Sequence, residues 1–150
     1  MAGESPPEIL VCDTSFVSRL PALRVDSDRF AHWDDEVVAR IDRAILAISV
    51  VTLAEIRFGY KKACWGQARI DESEHRLASF LHIPLDEPDL DEWASLRDYS
   101  RRKGCQAGDN DLWIASTANT RNFPLVTCDK DHDRLDDHMR VPVIYLPPHP

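Results

Sequence analysis

Two stretches with the same shape decide the fold: Ile9-Leu-Val-Cys-Asp13-Thr-Ser15 and, more than a hundred residues later, Leu125-Val-Thr-Cys-Asp129-Lys-Asp131. Each is a short apolar run without polar alternation, as expected of a strand buried on both faces, and each ends on an aspartate. Ile45-Leu-Ala-Ile-Ser-Val-Val51 and Val141-Pro-Val-Ile-Tyr-Leu146 read the same way, and His82-Ile-Pro-Leu85 forms a weaker fifth run. Between the runs the apolar period becomes helical. Phe30, Trp33, Val37 and Ile41 make one stripe, behind a cap at Ser27 or Asp28, and Leu90, Trp93, Leu96 and Ser100 make another. Further helices are expected at about 53–63, 72–81 and 110–120, the last on Leu112, Ala115 and Ala118. Strands alternating with helices predict an α/β protein with a parallel sheet covered on both faces. In such sheets ligands bind beyond the carboxyl ends of the strands.

Acids collect at that edge. Asp13 and Asp129 are the first residues past buried runs, Glu55 lies at the start of the helix that leaves Ile45–Val51, and Gly108-Asp-Asn-Asp111 opens the helix built on Leu112. Each has an ordinary account alone. Thr52-Leu-Ala-Glu55 matches a capping box, Asp109, Asn110 and Asp111 suit the first turn of a helix, Asp13 suits a cap, and Asp129 to Asp133 suits a solvated turn. Unrelated caps have no reason to share one edge, however. Gathered carboxylates repel one another and raise each other's pKa values unless a cation neutralises them. Hard divalent ions prefer all-oxygen sites, so Mg²⁺ or Mn²⁺ is the expected cofactor. Such ions polarise a phosphoryl oxygen and lower the pKa of a bound water, which is the chemistry of phosphodiester hydrolysis.

With these motifs in place, residues 9–146 resemble the PIN-domain nucleases, and among them the VapC-type toxins of bacterial toxin–antitoxin pairs. The resemblance rests on Val-Cys-Asp13-Thr-Ser, Ser-Val-Val-Thr-Leu-Ala-Glu55, Gly-Asp-Asn-Asp111-Leu-Trp-Ile-Ala and Leu-Val-Thr-Cys-Asp129-Lys-Asp131, in that order and spacing. It implies a three-layer α/β/α sandwich around a mainly parallel sheet of about five strands. It also implies Mg²⁺-dependent endoribonuclease activity through a metal-activated water, a homodimer, and inhibition by a small VapB-type antitoxin. The family's acidic quartet falls on Asp13, Glu55, Asp111 and Asp129, with Asp13, Asp111 and Asp129 as the metal ligands and Asp131 as an auxiliary acid. Thr14, Ser15 and Thr127 put hydroxyls beside these acids, where they could orient carboxylates or cap the local backbone. The chain departs from the pattern at Asp109, an extra acid expected to cap its helix rather than hold the metal. It departs again at His132, which replaces an aromatic residue and is expected at the surface.

The chain has 150 residues, 43% hydrophobic and 29% charged, the size and balance of one globular domain. Residues 8–146 make that domain, between a flexible, proline-rich tail at 1–7 and a C-terminal tail at 147–150. No secretory signal or membrane span is expected, and a cytoplasmic location follows. Cys12, Cys64, Cys105 and Cys128 form no metal-binding spacing and are expected as buried free thiols. Trp33 and Trp113 are expected in the core. The net charge of −8 counts against an RNA partner until the metal-binding acids are set aside. Arg57, Lys61, Lys62 and Arg69 follow Glu55, while Arg97, Arg101, Arg102 and Lys103 precede Asp111, and these could guide phosphates or simply form solvated helix faces. A haloacid-dehalogenase-type phosphatase needs a second Asp two residues after the first, where Ser15 stands, and a phospho-receiver has no use for Glu55. A PIN-type RNA-processing nuclease without a toxin role, or a silent RNA-binding scaffold, stays open beside the toxin reading.

Overall fold

The computed structural model describes residues 3, 5–20, 33–105, 107–133 and 135–148. Five strands, β1 (Ile9–Cys12), β2 (Ile45–Ser49), β3 (Leu81–Ile83), β4 (Leu125–Thr127) and β5 (Val143–Tyr145), pair in parallel in the order β3-β2-β1-β4-β5. Side chains alternate across a strand, so each central strand supplies both faces. Val11, Ala47 and Leu125 pack with Leu96, Leu112, Ala115 and Ala118 on one side. Leu10, Cys12, Ile48 and Val126 pack with Phe16, Leu53, Leu77 and Leu146 on the other. The result is the expected three-layer α/β/α sandwich.

Among the described residues seven α-helices connect the strands: α1 (Thr14–Val17), α2 (Asp35–Arg43), α3 (Val50–Lys62), α4 (Gln67–Leu77), α5 (Glu87–Lys103), α6 (Asp109–Thr120) and α7 (Lys130–Asp133). The proposed cap at Ser27 or Asp28, and Phe30, lie outside the described residues. Asp34 caps α2 instead, accepting from the Glu36 and Val37 amides. The second strand stops at Ser49 because its hydroxyl accepts from the Val51 amide and turns Val50 and Val51 into the first turn of α3. Thr52 is consequently inside the helix and fully buried, and the Thr52–Glu55 capping box does not form. Helix α4 starts five residues earlier than the expected 72 and ends at Leu77, which frees Leu81–Ile83 to pair with β2. Pro84 ends that strand. The last apolar run contributes only Val143–Tyr145, a half-buried edge strand, since Pro142 lacks the amide a ladder needs.

Helix α5 departs most from its pattern. Leu90 is 53% exposed while Asp89 and Glu92 are buried, so the buried stripe includes acids. Both are fully bonded. Asp89 accepts from Thr120 Oγ1 at 2.7 Å and from Arg121 at 2.8 and 3.1 Å. Glu92 accepts from Asn119 Nδ2 at 2.5 Å and Arg140 Nη2 at 3.1 Å. These bonds lash α5 to α6, and Gly104 closes α5 in the left-handed region at φ 66°. Trp93 stacks on Trp113 at 5.0 Å, leaving Trp113 half-buried, whereas Trp33 is in the core and donates to the Pro147 carbonyl, which anchors the start of the C-terminal tail.

All four cysteines are free; Cys12 and Cys128 are buried, Cys105 is partly buried and Cys64 is exposed, contrary to the expectation for the last two. Burial pushes the Cys128 thiol up to about 11, consistent with a small apolar side chain. No helix among the described residues is long and apolar enough to cross a membrane. Removing Asp89 takes the buried carboxylate from Arg121, which keeps Asp86 at 3.2 Å and the Thr117 and Pro84 carbonyls, so Asp89→Ala is expected to lose about 2 kcal/mol in urea unfolding, as for hydrogen bonds to a charged group. A loss under about 1 kcal/mol would show that the network is not holding α5 to α6.

Candidate active site

Asp13 is 2% exposed at the carboxyl end of β1, and every polar neighbour is arranged around it. Its Oδ1 accepts from the Phe16 amide at 2.9 Å and the Ser15 hydroxyl at 2.7 Å, so it does cap α1. Its Oδ2 accepts from the Thr127 hydroxyl, which arrives from β4. Ser15 Oγ in turn accepts from the Cys128 amide at 3.0 Å, and Thr127 Oγ1 from the Asp129 amide at 2.9 Å. The cap and the candidate site are thus one construction: the same carboxylate starts α1 and docks β1 against the β4 edge.

That edge also carries a side chain expected elsewhere. His132 is 1% exposed, not on the surface, and its Nε2 lies 3.4 Å from Asp13 Oδ2 and 3.2 Å from Asp111 Oδ1. Both contacts are ion-pair distances without hydrogen-bond alignment, and Nδ1 has no hydrogen-bond partner among the described residues. Asp129 Oδ1 accepts from the Asp131 amide at 2.9 Å, closing the turn that opens α7 and aims His132 inward. The ring's place is readable in hindsight. His132 follows the β4 edge by one helical turn, on the same side as the acid that begins it.

Asp111 and Asp109 separate as their spacing requires, since residues two apart on a helix point about 200° from each other. Asp111 is half-buried and turned to His132, with the Gly108 backbone close to its carboxylate. Asp109 faces solvent and approaches Arg97 only to 3.6 Å. Gly108 is the cap of α6, so Asp109 does not cap it. Glu55 is tied to the cluster indirectly: its Oε1 accepts from the Thr14 hydroxyl at 2.6 Å. The pair lines an open groove of about 550 Å³ between α1, α3 and α4, which leaves Glu55 reachable from solvent while Asp13 is not.

Asp13 and Asp111 therefore both approach His132 Nε2, Asp129 contributes its charge there, and Glu55 is linked only through Thr14. Among the described residues no three His, Cys, Asp or Glu side chains are gathered closely enough to hold one ion. The repulsion expected of clustered carboxylates is relieved from within. Burial opposes protonation of His132, but close contact with Asp111 and the charges of Asp13, Asp111 and Asp129 outweigh it, raising the imidazole above its ordinary value. Burial likewise pushes Asp111 up, and His132 together with the Gly108 amide more than reverses it.

The basic residues are less available than their clustering suggests. Arg57 makes a two-point pair with Glu74 at 3.0 Å for each bond, and Arg101 and Arg102 share Asp98 at 2.9 Å. Lys61, Lys62 and Lys103 are exposed and make no ion pair among the described residues.

Residues 10–138 match the PIN domain model. The chain belongs to the PIN-domain family. Within it, the chain is 33% identical to Ribonuclease VapC5 of Mycobacterium tuberculosis over 111 residues, covering 70% of this chain and 82% of the relative. It is 32% identical to Ribonuclease VapC4 of the same organism over 129 residues, 85% and 91% of the two chains. The crystal structure of VapBC-5, a member of the VapBC family of toxin–antitoxin systems from Mycobacterium tuberculosis, superposes with a TM-score of 0.67 at 29% identity, covering 93% of this chain and all of that one. In this PIN domain a histidine lies between two of the acids, Asp13 and Asp111.

Two measurements check this electrostatic arrangement. NMR titration of His132 without divalent ions is expected to give a pKa above 6.5, and a lower value in Asp111→Asn. Because the folded value is raised, the ring's contribution to stability is complete below its unfolded pKa and is lost as pH rises through the folded one. Asp111, with its folded value lowered, contributes above the ordinary carboxyl value of 3.8 and loses that contribution as pH falls. A His132 pKa at or below 6.5 would contradict the arrangement. Separately, Asp109→Ala is expected to change stability by less than about 0.5 kcal/mol, as exposed ion pairs do.

Proposed function

We propose that this PIN-domain protein is a Mg²⁺- or Mn²⁺-dependent endoribonuclease, the toxin of a VapBC-type toxin–antitoxin pair. The observation that carries the reading is the meeting of Asp13 and Asp111 at His132 Nε2, on the carboxyl edge of the sheet, in a chain similar to proteins named ribonuclease. The donor set fits a hard cation. Its nearest groups are carboxylate oxygens from separate chain segments, and the buried, incompletely bonded imidazole between them marks a point of high negative potential.

Asp13 and Asp111 are the residues to hold the metal, with Asp129 contributing charge and Glu55 reaching the site from α3. When bound, the metal supplies polarisation of the phosphoryl oxygen and a more acidic water. The chain's own groups do the positioning. Ser15, Thr127 and the Phe16 amide fix both oxygens of Asp13 before any ligand arrives, so little reorganisation is needed on binding. Glu55, half-exposed and held by one hydroxyl, is free to turn toward a substrate or a water and accept a proton. Lys61, Lys62 and Lys103, with Arg57, Arg101 and Arg102 behind their acidic partners, provide the positive potential that draws an RNA backbone. Residues 8–146 constitute the nuclease domain, acting in the cytoplasm as a homodimer whose activity a small VapB-type antitoxin restrains.

Purified protein is expected to cut RNA internally with Mg²⁺ or Mn²⁺ and to stop when EDTA is added. Asp111→Asn keeps shape but removes a ligand charge, and should lower the rate by roughly a hundredfold or more, since each 1.36 kcal/mol of lost transition-state stabilisation is tenfold. Asp109→Ala should cut normally. Expression alone should arrest growth, and co-expression of the small protein encoded beside it should restore growth. Undiminished cleavage by Asp111→Asn would refute the site, whereas cleavage without growth arrest would leave a PIN nuclease and remove the toxin role.

A further inference from the structure

We propose that His132 fills the position a cation takes between Asp13 and Asp111, and that metal can load only when its imidazole swings away, so that this residue sets the protein's metal affinity. The inference rests on the reading of Asp13 and Asp111 as the metal site. An ion such as Mg²⁺ ligated by both carboxylates sits about 2.0–2.1 Å from each oxygen. Nε2 already lies 3.4 Å from Asp13 Oδ2 and 3.2 Å from Asp111 Oδ1, so an ion bridging these oxygens on the ring's side competes with the ring for one place. On that side His132 is either a ligand or an obstacle.

Two observations make it an obstacle. A histidine that ligates a metal almost always donates its other ring nitrogen to a carboxylate, a carbonyl or a water, which fixes its orientation. His132 Nδ1 has no such partner among the described residues, although it is fully buried. The remaining donors near Nε2 are carboxylate oxygens, the set preferred by Mg²⁺ or Mn²⁺, whereas imidazole suits zinc, copper, iron and nickel. With Nδ1 unbonded, the ring's polar contacts are those of Nε2 with Asp13 and Asp111, the same two carboxylates that a cation would take over. The element that carries the ring is short: α7 spans only Lys130–Asp133. The metal-free protein thus carries its own plug, and the fraction of molecules with the plug withdrawn scales the apparent affinity.

Isothermal titration with Mn²⁺ tests this on the full chain as wild type, His132→Ala, His132→Asn and Asp111→Asn. Both His132 variants should bind Mn²⁺ more tightly, by about threefold or more if the withdrawn state is a third populated or less. Weaker binding in the His132 variants would make the ring a ligand and overturn the proposal, as would unchanged binding. Asp111→Asn reports on the underlying site separately. If it binds Mn²⁺ like wild type, the site reading fails; if it loses binding while the His132 variants match wild type, only the plug fails. Should the variants not fold, diethyl pyrocarbonate modification of wild type, located by mass spectrometry, gives a second answer. His132 should be protected in EDTA and react faster in saturating Mg²⁺, and a rate that is unchanged or slower with Mg²⁺ refutes displacement.

Discussion

The carboxylate of Asp13 is the constraint around which the rest is arranged. An ionised group at 2% exposure is costly unless nearly all its lone pairs are engaged. Here the donors come from its own helix, through Ser15 and the Phe16 amide, and from the neighbouring strand, through Thr127. Satisfying that one group dictates where α1 begins and how β1 meets β4, and it places the Asp129 turn through Thr127 Oγ1. Because the carboxyl edge of the sheet is built around Asp13, the proposed chemistry inherits a carboxylate already fixed in orientation.

His132 changes how that edge should be understood. Four acids at one edge suggest a fold strained until metal arrives, yet the imidazole stands among three of them with its titration shifted upward by their charge. A metal-free PIN domain of this kind is compensated internally. On the proposed reading, cation binding replaces the imidazole between Asp13 and Asp111 rather than simply relieving repulsion. The same economy appears at α5 and α6, where Asp89 and Glu92 are tolerated in the interior because Arg121, Asn119 and Arg140 answer them.

The layers of the fold were legible in the sequence because unbroken apolar runs of strand length, separated by helical periods, admit few arrangements. The acids were legible for a related reason: Asp13 and Asp129 follow buried strands directly, and the parallel sheet brings strand ends to one edge whatever the loops do. The 200° separation of Asp109 and Asp111 likewise followed from helix geometry. Features that depend on partners distant in sequence were not legible. Thr52 looked like a cap because nothing local shows that Ser49 turns the chain first. Leu90 fits the apolar stripe of α5 better than Asp89 does, until Arg121, thirty-two residues away, is seen to bond the acid. His132 has a polar side chain in a charged run, which by composition belongs to solvent, and only the convergence of β1, α6 and α7 places it inside.

On the proposed reading, Asp13 and Asp111, distant in sequence, form one cation site. A crystal of the protein grown with saturating Mn²⁺ and measured for anomalous scattering tests it most directly. An anomalous peak is expected within ligating distance of carboxylate oxygens from both residues. A map with Mn²⁺ bound elsewhere, or with no peak at either carboxylate, would contradict it.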